Sequence, residues 1–369
     1  MPDGTRFARI LPYRVRLEPR VEVPRTFEIQ VRILAILLSL AIMTIVFLSL
    51  HINPISAFKA MFLYAFGKGI LSTLSRAMTL VLIAIGLSMA FRSLFWNIGA
   101  EGQYLVGAIT AFGIGRLFPN LSGYALIPLM LLGGFAAGAL YGQLPAILKV
   151  KLKVNEVITT LMLNYIAIRL LYYLVYGPWN VKEVVGGVEY TGYAVTNNIP
   201  YQAQLSTVGN STLSYAMMGL VAVFLIAEYL IMERTPLGYD FKVIGDNPEA
   251  ARYAGMRFLR LTMILMLLSG GLAGLAGAGE LMANQHRLRP GFASGFGFTA
   301  IIIAWLGGTN PIGILLAGIF IAGIIIGGYN FQISTGLPVG FVGIFQGVLL
   351  FSVLFGEFLR RYKVKFERW

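Results

Sequence analysis

The chain has 369 residues, of which 57% are hydrophobic and only 12% charged, with a mean hydropathy of +0.76 and a formal net charge of +13. So few charges exclude a soluble globular domain, which carries about 25% of them, and apolar runs of about 18 or more residues recur instead, as in an integral bundle of helices. The runs do not alternate apolar and polar residues, which excludes a membrane β-barrel, and the absence of cysteine removes disulfides, thiolate metal sites and cysteine nucleophiles.

Residues 1–32 are polar and basic, with Arg6, Arg9, Arg14, Arg16, Arg20, Arg25 and Arg32, and no small-residue cleavage site follows them. They read as a retained cytoplasmic tail leading into a first helix. Apolar runs then predict helices over 33–51, 76–95, 99–115, 122–147, 156–176, 211–232, 260–283, 297–307, 311–328 and 338–358. The 297–307 stretch is too short to span at about 1.5 Å per residue, so it is half of a broken helix or continuous with a neighbour. The expected fold is an all-α, polytopic membrane bundle of about 8–10 transmembrane helices over 33–358, closed by a basic tail over 359–369.

With the N-terminus inside, basic residues fall on the cytoplasmic side about three times as often as outside. The inside set includes Lys149, Lys151 and Lys153, the loop 233–260, and Arg360, Arg361, Lys363, Lys365 and Arg368; the outside set is Lys59, Lys68, Arg76, Arg116, Lys182, Arg287 and Arg289. Both termini are therefore expected in the cytoplasm of a plasma-membrane protein, with the positive charge facing anionic lipid rather than nucleic acid. The loop 177–210, rich in Gly, Asn, Thr and Tyr, is expected outside, as a solvated connection or a surface that meets a partner. His51 and His286 lie near predicted helix ends and read as interfacial side chains, so no metal site is expected. Glycines at four-residue spacing, among them Gly134, Gly138 and Gly142, Gly270 and Gly274, and Gly343 and Gly347, read as helix-packing positions.

Polar groups at membrane depth are costly and point to a pathway or to a partner helix. Asn97, Glu101 and Gln103 cluster where one predicted helix gives way to the next, and Asn164 and Tyr165 fall mid-helix. With Phe298 and Trp305, which offer flat faces, these form the candidate translocation path; a helix-end position for Glu101 and interhelical bonding for Asn164 are the plainer alternatives. Glu101, Glu228 and Glu280 also allow a proton-coupled carrier. An intramembrane enzyme finds no assembled nucleophile, base or metal cluster.

The stretch VIGDNPEAARYAGM, residues 243–256, carries helix start and stop signals. Asn247 suits an N-cap, Pro248 the first helical position, Glu249 the positive end of the dipole, and Gly255 a left-handed C-terminal cap. A helix over 248–254 rises about 10 Å, too little to span and too short to be stable alone, so something must hold it. Either it rests on its own bundle as a loop helix, or Ala250 and Ala251 enter a partner's groove with Glu249 and Arg252 at the rim.

That stretch resembles the EAA-type coupling loop of ABC importer permeases, in the form found in the branched-chain amino acid, ribose and nucleoside permease family. FWNIGAEGQYLVGA (95–108), LKVKLKVNEVITTLMLNYIA (148–167), LSGGLAGLAGAGE (268–280), GFGFTAIIIAWLGGTNPIGI (295–314) and TGLPVGFVGIFQGVLLF (335–351) follow in the family's order. NIGAEGQ followed by VNEVITTLMLNYIA is most similar to the purine-nucleoside branch, while AWLGG in place of the commoner ALLG and the arginine-rich N-terminal tail depart from the pattern. The resemblance implies a nucleoside importer with a second permease subunit, identical or different, a cytoplasmic ABC ATPase, and an extracytoplasmic binding protein or lipoprotein. It implies no enzymatic activity and no cofactor in this chain, with ATP and Mg on the partner ATPase; permeases for ribose or another sugar are the alternative. No G-x-x-x-x-G-K-[ST] phosphate loop occurs in the chain, where the lone Gly67-Lys68 pair is followed by Gly69.

Overall fold

The computed structural model describes residues 13–20, 24–185, 188–191, 193–308, 310–338 and 340–368. Among them are thirteen α-helices and two two-stranded ribbons. Eight of the helices are long and apolar enough to cross a membrane. The chain divides into two compact units, one of Met1–Phe58 with Thr335–Trp369, the other of Lys59–Ser334.

In the first unit α1 (Arg25–Ser49) packs along α13 (Gly340–Arg361). The buried Phe47 ring meets Phe58 at 5.2 Å and Phe341 at 5.3 Å. At the other end of the pair the Arg360 guanidinium donates to Glu357 at 2.7 and 2.8 Å and to Glu28 at 2.9 Å. The two tails are not plain polar termini. β1 (Tyr13–Pro19) pairs antiparallel with β4 (Tyr362–Arg368), Tyr13 opposite Arg368 and Pro19 opposite Tyr362. YRVRLEP and YKVKFER alternate apolar and polar residues, a strand signal that a search for long apolar runs passes over. Arg6 and Arg9 lie outside the described residues, and α1 begins inside the stretch expected to be tail.

Two helices after α1 share one starting device. Asn53 Oδ1 accepts from the backbone N–H of Ile55 at 3.0 Å and Ser56 at 3.3 Å, opening α2 (Pro54–Phe66), which the apolar-run reading missed. Asn310 Oδ1 accepts from Ile312 N–H at 3.1 Å at the start of α12 (Pro311–Thr335). In each case asparagine satisfies an orphan donor of the first turn and proline fills the position that needs none.

The second unit is built around α3 (Ile70–Arg92), α4 (Ala100–Leu117), α5 (Gly123–Leu152) and α10 (Phe258–Glu280), with α6 (Glu156–Tyr176) and α7 (Tyr215–Arg234) at its sides. A π-turn, Leu281–Gln285, continues α10. Helices α4, α5 and α10 cross through glycine: a Cβ at Gly107 would meet the carbonyl of Gly274, and one at Gly138 the carbonyl of Gly270. No side chain larger than hydrogen fits such backbone approaches. A Cβ at Gly340, Gly343 or Gly347 would meet nothing within 4 Å, so those glycines of α13 pack against no described neighbour.

The described residues of 177–210 hold regular elements and bond back to the bundle, more than a plain solvated connection would. They form a strand pair, β2 (Lys182–Val185) and β3 (Val188–Thr191), and a 3₁₀ turn, Tyr201–Ala203. Backbone bonds pin them to the chain after α10: Thr196 N–H to Leu288 O at 3.0 Å, Ile199 N–H to His286 O at 2.8 Å, and Leu205 N–H to Met282 O at 3.0 Å.

Candidate functional site

The sequence-predicted path residues divide into those inside the second unit and those on its surface. Asn97, Gln103, Asn164 and Glu101 are each at most 2% exposed. Asn97 and Gln103 exchange amide hydrogen bonds, at 3.0 Å to Gln103 Oε1 and 3.2 Å to Asn97 Oδ1. Asn97 Nδ2 also donates to Ser269 Oγ at 3.0 Å, and its Oδ1 accepts from Gly99 N–H at 3.0 Å. Asn164 reaches from α6 to the first turn of α4, accepting from Gly102 N–H and donating to Ile98 O, both at 2.8 Å. The turn from α3 into α4 is irregular backbone at bundle depth, and these amides supply the partners that lipid cannot.

Glu101 completes the arrangement. It lies in the first turn of α4, and its carboxylate accepts from Gly295 N–H at 2.9 Å and Gly297 N–H at 2.5 Å, at the start of α11 (Phe296–Leu306). One negative charge thus sits at two positive helix ends and satisfies donors that α11 leaves orphaned. At 11 residues, α11 is the short helix expected at 297–307, buried within the unit.

Trp305 is 8% exposed and stacks on Phe91, centroids 5.1 Å apart, with Trp96 at 5.5 Å. Tyr165 and Phe298, by contrast, are 58% and 37% exposed. Asn164 and Tyr165, adjacent in sequence and about 100° apart around α6, therefore divide between a buried and an exposed position, and the structure does not bring them together. The other two acids of the carrier reading are buried and bonded: Glu228 accepts from Ser88 Oγ, and Glu280 accepts from Thr79 Oγ1 and Asn284 Nδ2, both at 2.8 Å.

At the far end of α10 from the 177–210 loop lies the capped segment. α9 spans Pro248–Tyr253, and Asn247 Oδ1 accepts from Glu249 N–H at 3.1 Å. Gly255 has φ +73, the left-handed stop read from its sequence position. The segment is not an isolated helix, because α8 (Pro236–Asp246) precedes it inside the stretch expected as loop. Thr235 Oγ1 accepts from Gly238 N–H at 3.4 Å with Pro236 at the first position, the same cap-and-proline signal in another residue type. Ala251 is 1% exposed, so its methyl is covered by this chain and is not available to a partner's groove. Glu249 faces solvent, as does Tyr253 at 93% exposure. The side chains of Pro248, Ala250 and Arg252 lie outside the described residues.

α8 in turn rests on α3. A Cβ at Gly245 would meet the carbonyl of Arg92, and Arg92 and Lys242 both donate to Glu233, at 3.1 and 2.9 Å. Arg92 ends α3, five residues before Asn97. Sequence reasoning missed Gly245 and Glu233; the signal available was Thr235-Pro236.

A family model described as "Branched-chain amino acid transport system / permease component" matches residues 69–354. The glucose ABC transporter permease protein of Haloferax volcanii is 34% identical over 357 residues, covering 95% of this chain and 93% of its own. A guanosine ABC transporter permease protein of Bacillus subtilis is 31% identical over 334 residues, 90% and 94% of the two chains. A second guanosine permease protein of that organism is 27% identical over 252 residues, 68% and 78% of the two. No solved structure matches the chain.

Proposed function

Because the chain belongs to the branched-chain amino acid transport system permease family and is a permease subunit of an ABC transporter, we propose that it imports a nucleoside with energy from ATP hydrolysed on a separate subunit. The observation that carries the coupling reading is the capped α9, which presents Glu249 and Tyr253 outward while its other face is covered by its own chain. An ATPase that pulled on this face would act through α8 on the end of α3, by way of Gly245 and Arg92, and from there on the turn that holds Asn97. The links are packed backbone, which transmits displacement rather than absorbing it. The buried Asn97, Gln103, Asn164, Trp305 and Glu101 shape the path from behind, and the exposed Tyr165 and Phe298 face the solute or the second permease subunit. Two guanosine permeases in one organism favour a pair of different chains. The bias of basic residues favours α8, α9 and both termini in the cytoplasm, with an extracytoplasmic binding protein at the opposite face.

Co-reconstituted with its ATPase, the chain is expected to take up guanosine only with ATP. Glu249→Arg and Tyr253→Ala, both exposed, are expected to cut uptake and stimulated hydrolysis about tenfold without changing thermal unfolding. Uptake by the chain alone under a proton gradient would overturn this reading in favour of a carrier using Glu101, Glu228 and Glu280. A sugar substrate is the second reading, favoured by the relative named for glucose, and glucose in the same assay decides between them.

A further inference from the structure

The end of the second unit opposite α9 holds a cavity of about 760 Å³, within the range of roughly 300–1,000 Å³ typical of small-molecule sites. Three segments form it: the first turns of α5, the loop 201–207, and the chain leaving α10 at Ala283 and His286. Its walls are fixed in advance. Leu205 N–H donates to Met282 O at 3.0 Å, Gln202 Nε2 donates to the Pro119 carbonyl, and Gly123 stands so close to the Gln202 carbonyl that no Cβ fits between them. Ala203 and Leu205, 0% and 6% exposed, anchor the loop beneath.

Among the described residues, the lining contains no Asp, Glu, Lys or Arg. It offers two phenols, Tyr124 and Tyr201, at 97% and 86% exposure, with Gln204, Ser206, Thr207 and His286. The side chains of Gln204 and Ser206 form no hydrogen bond with another described residue, so their donors and acceptors are open to a ligand. Burial holds the His286 imidazole below its usual pKa, against the opposing effect of the Met282 carbonyl, so it is neutral at pH 7. A zwitterionic amino acid would surrender hydration of two charges here and find no counter-charge. A neutral ring bearing several hydroxyls finds aromatic faces for the ring and amide, hydroxyl and imidazole partners for its edge.

We propose that this cavity is a binding site for a neutral, polyhydroxylated ring solute, a nucleoside or a free sugar, on the permease chain itself and separate from any delivering protein. The proposal rests on the import reading only for its place in the transport sequence; binding is measurable without it. The full-length chain in lipid nanodiscs, with no other protein present, is titrated calorimetrically with guanosine, glucose and leucine. Guanosine or glucose is expected to bind, the one that does naming the source, and leucine is not. Tyr201→Ala and Gln204→Ala are each expected to weaken binding about tenfold, the equivalent of roughly 1.4 kcal/mol. Equal binding of leucine, binding of none of the three, or variants that bind like the parent would overturn the proposal. Both substitutions lie on the cavity wall, and unchanged thermal unfolding of the variants shows that a loss is not a loss of fold. Uptake by the ATPase-containing complex is measured alongside. Guanosine uptake with no binding to the isolated chain sinks the site and spares the transport reading, whereas solute binding without ATP-driven uptake does the reverse.

Discussion

Two polar neighbourhoods of the second unit use the same residue types to opposite ends. In the knot around Asn97, both amide atoms of Asn97, Gln103 and Asn164 are bonded within the chain, and Glu101 is held by backbone N–H groups of another helix. Around the 760 Å³ cavity, the side chains of Gln204 and Ser206 have no such bonds among the described residues. A bonded polar group stabilises the fold and is silent toward a solute, while an unbonded one at a cavity wall does the reverse. The candidate path residues in the knot are thus best tested through stability, and the cavity residues through binding.

Glu101→Ala gives the largest expected effect. It strands the buried N–H of Gly297 away from water, leaves that of half-buried Gly295 without its acceptor, and removes a charge from two helix ends, at a cost of about 3–5 kcal/mol. Thermal unfolding in detergent should fall steeply, and less for Glu101→Gln, which keeps one acceptor. An unchanged midpoint for the alanine variant would show that the carboxylate serves a solute and not the fold.

Asn164→Ala is the next test, with its neighbour as control. It leaves Gly102 N–H and Ile98 O unpaired and should cost about 1–3 kcal/mol. Tyr165→Ala, on the exposed face of the same helix, should stay within about 0.5 kcal/mol. Equal losses from the two would mean that α6 does not divide into a buried and an outer face.

Why the knot and the cavity look alike in sequence follows from what periodicity records. Apolar runs mark lipid-facing and core helices alike, so the spans were legible, as was the start and stop of α9 from Asn247, Pro248 and Gly255. Asn53-Pro54 carried the same information for α2, but a 13-residue helix falls below the length that a search for spans expects. What no local pattern encodes is which partner an amide meets: Asn164 finds Gly102 across 62 positions, and Glu101 finds Gly297 across 196. The cavity was illegible for the same reason, since its walls come from three distant segments. Ala251 shows the limit in miniature, because its size fits a partner's groove and a neighbouring helix equally well.

Gln204→Ala sharpens the comparison from the cavity side. With no side-chain bond to a described residue to lose, the variant should unfold within about 0.5 kcal/mol of the parent even as its solute affinity drops. A stability loss as large as that of Asn164→Ala would place Gln204 in the scaffold and erase the distinction between the two neighbourhoods.

The smallest effect expected is a pH dependence confined to the cavity side. His286 has its pKa lowered chiefly by desolvation, so the folded chain favours the neutral ring more than the unfolded chain does. The unfolded state then binds more protons below the ordinary histidine value of about 6.5, and stability falls as pH drops through that value toward the lower folded pKa. Above about pH 7 both states carry a neutral ring, and this group imposes no slope. His286→Asn isolates the contribution, because asparagine tolerates the left-handed backbone at φ +54 and does not titrate. Unfolding midpoints of parent and variant should run parallel from pH 7 to 8 and diverge below about 6.5, with the variant declining less. The ring is partly solvated, so the divergence will be slight beside the loss from Glu101→Ala. Identical slopes in acid would mean that the imidazole is as well hydrated folded as unfolded, and that the cavity wall at His286 is open to bulk water.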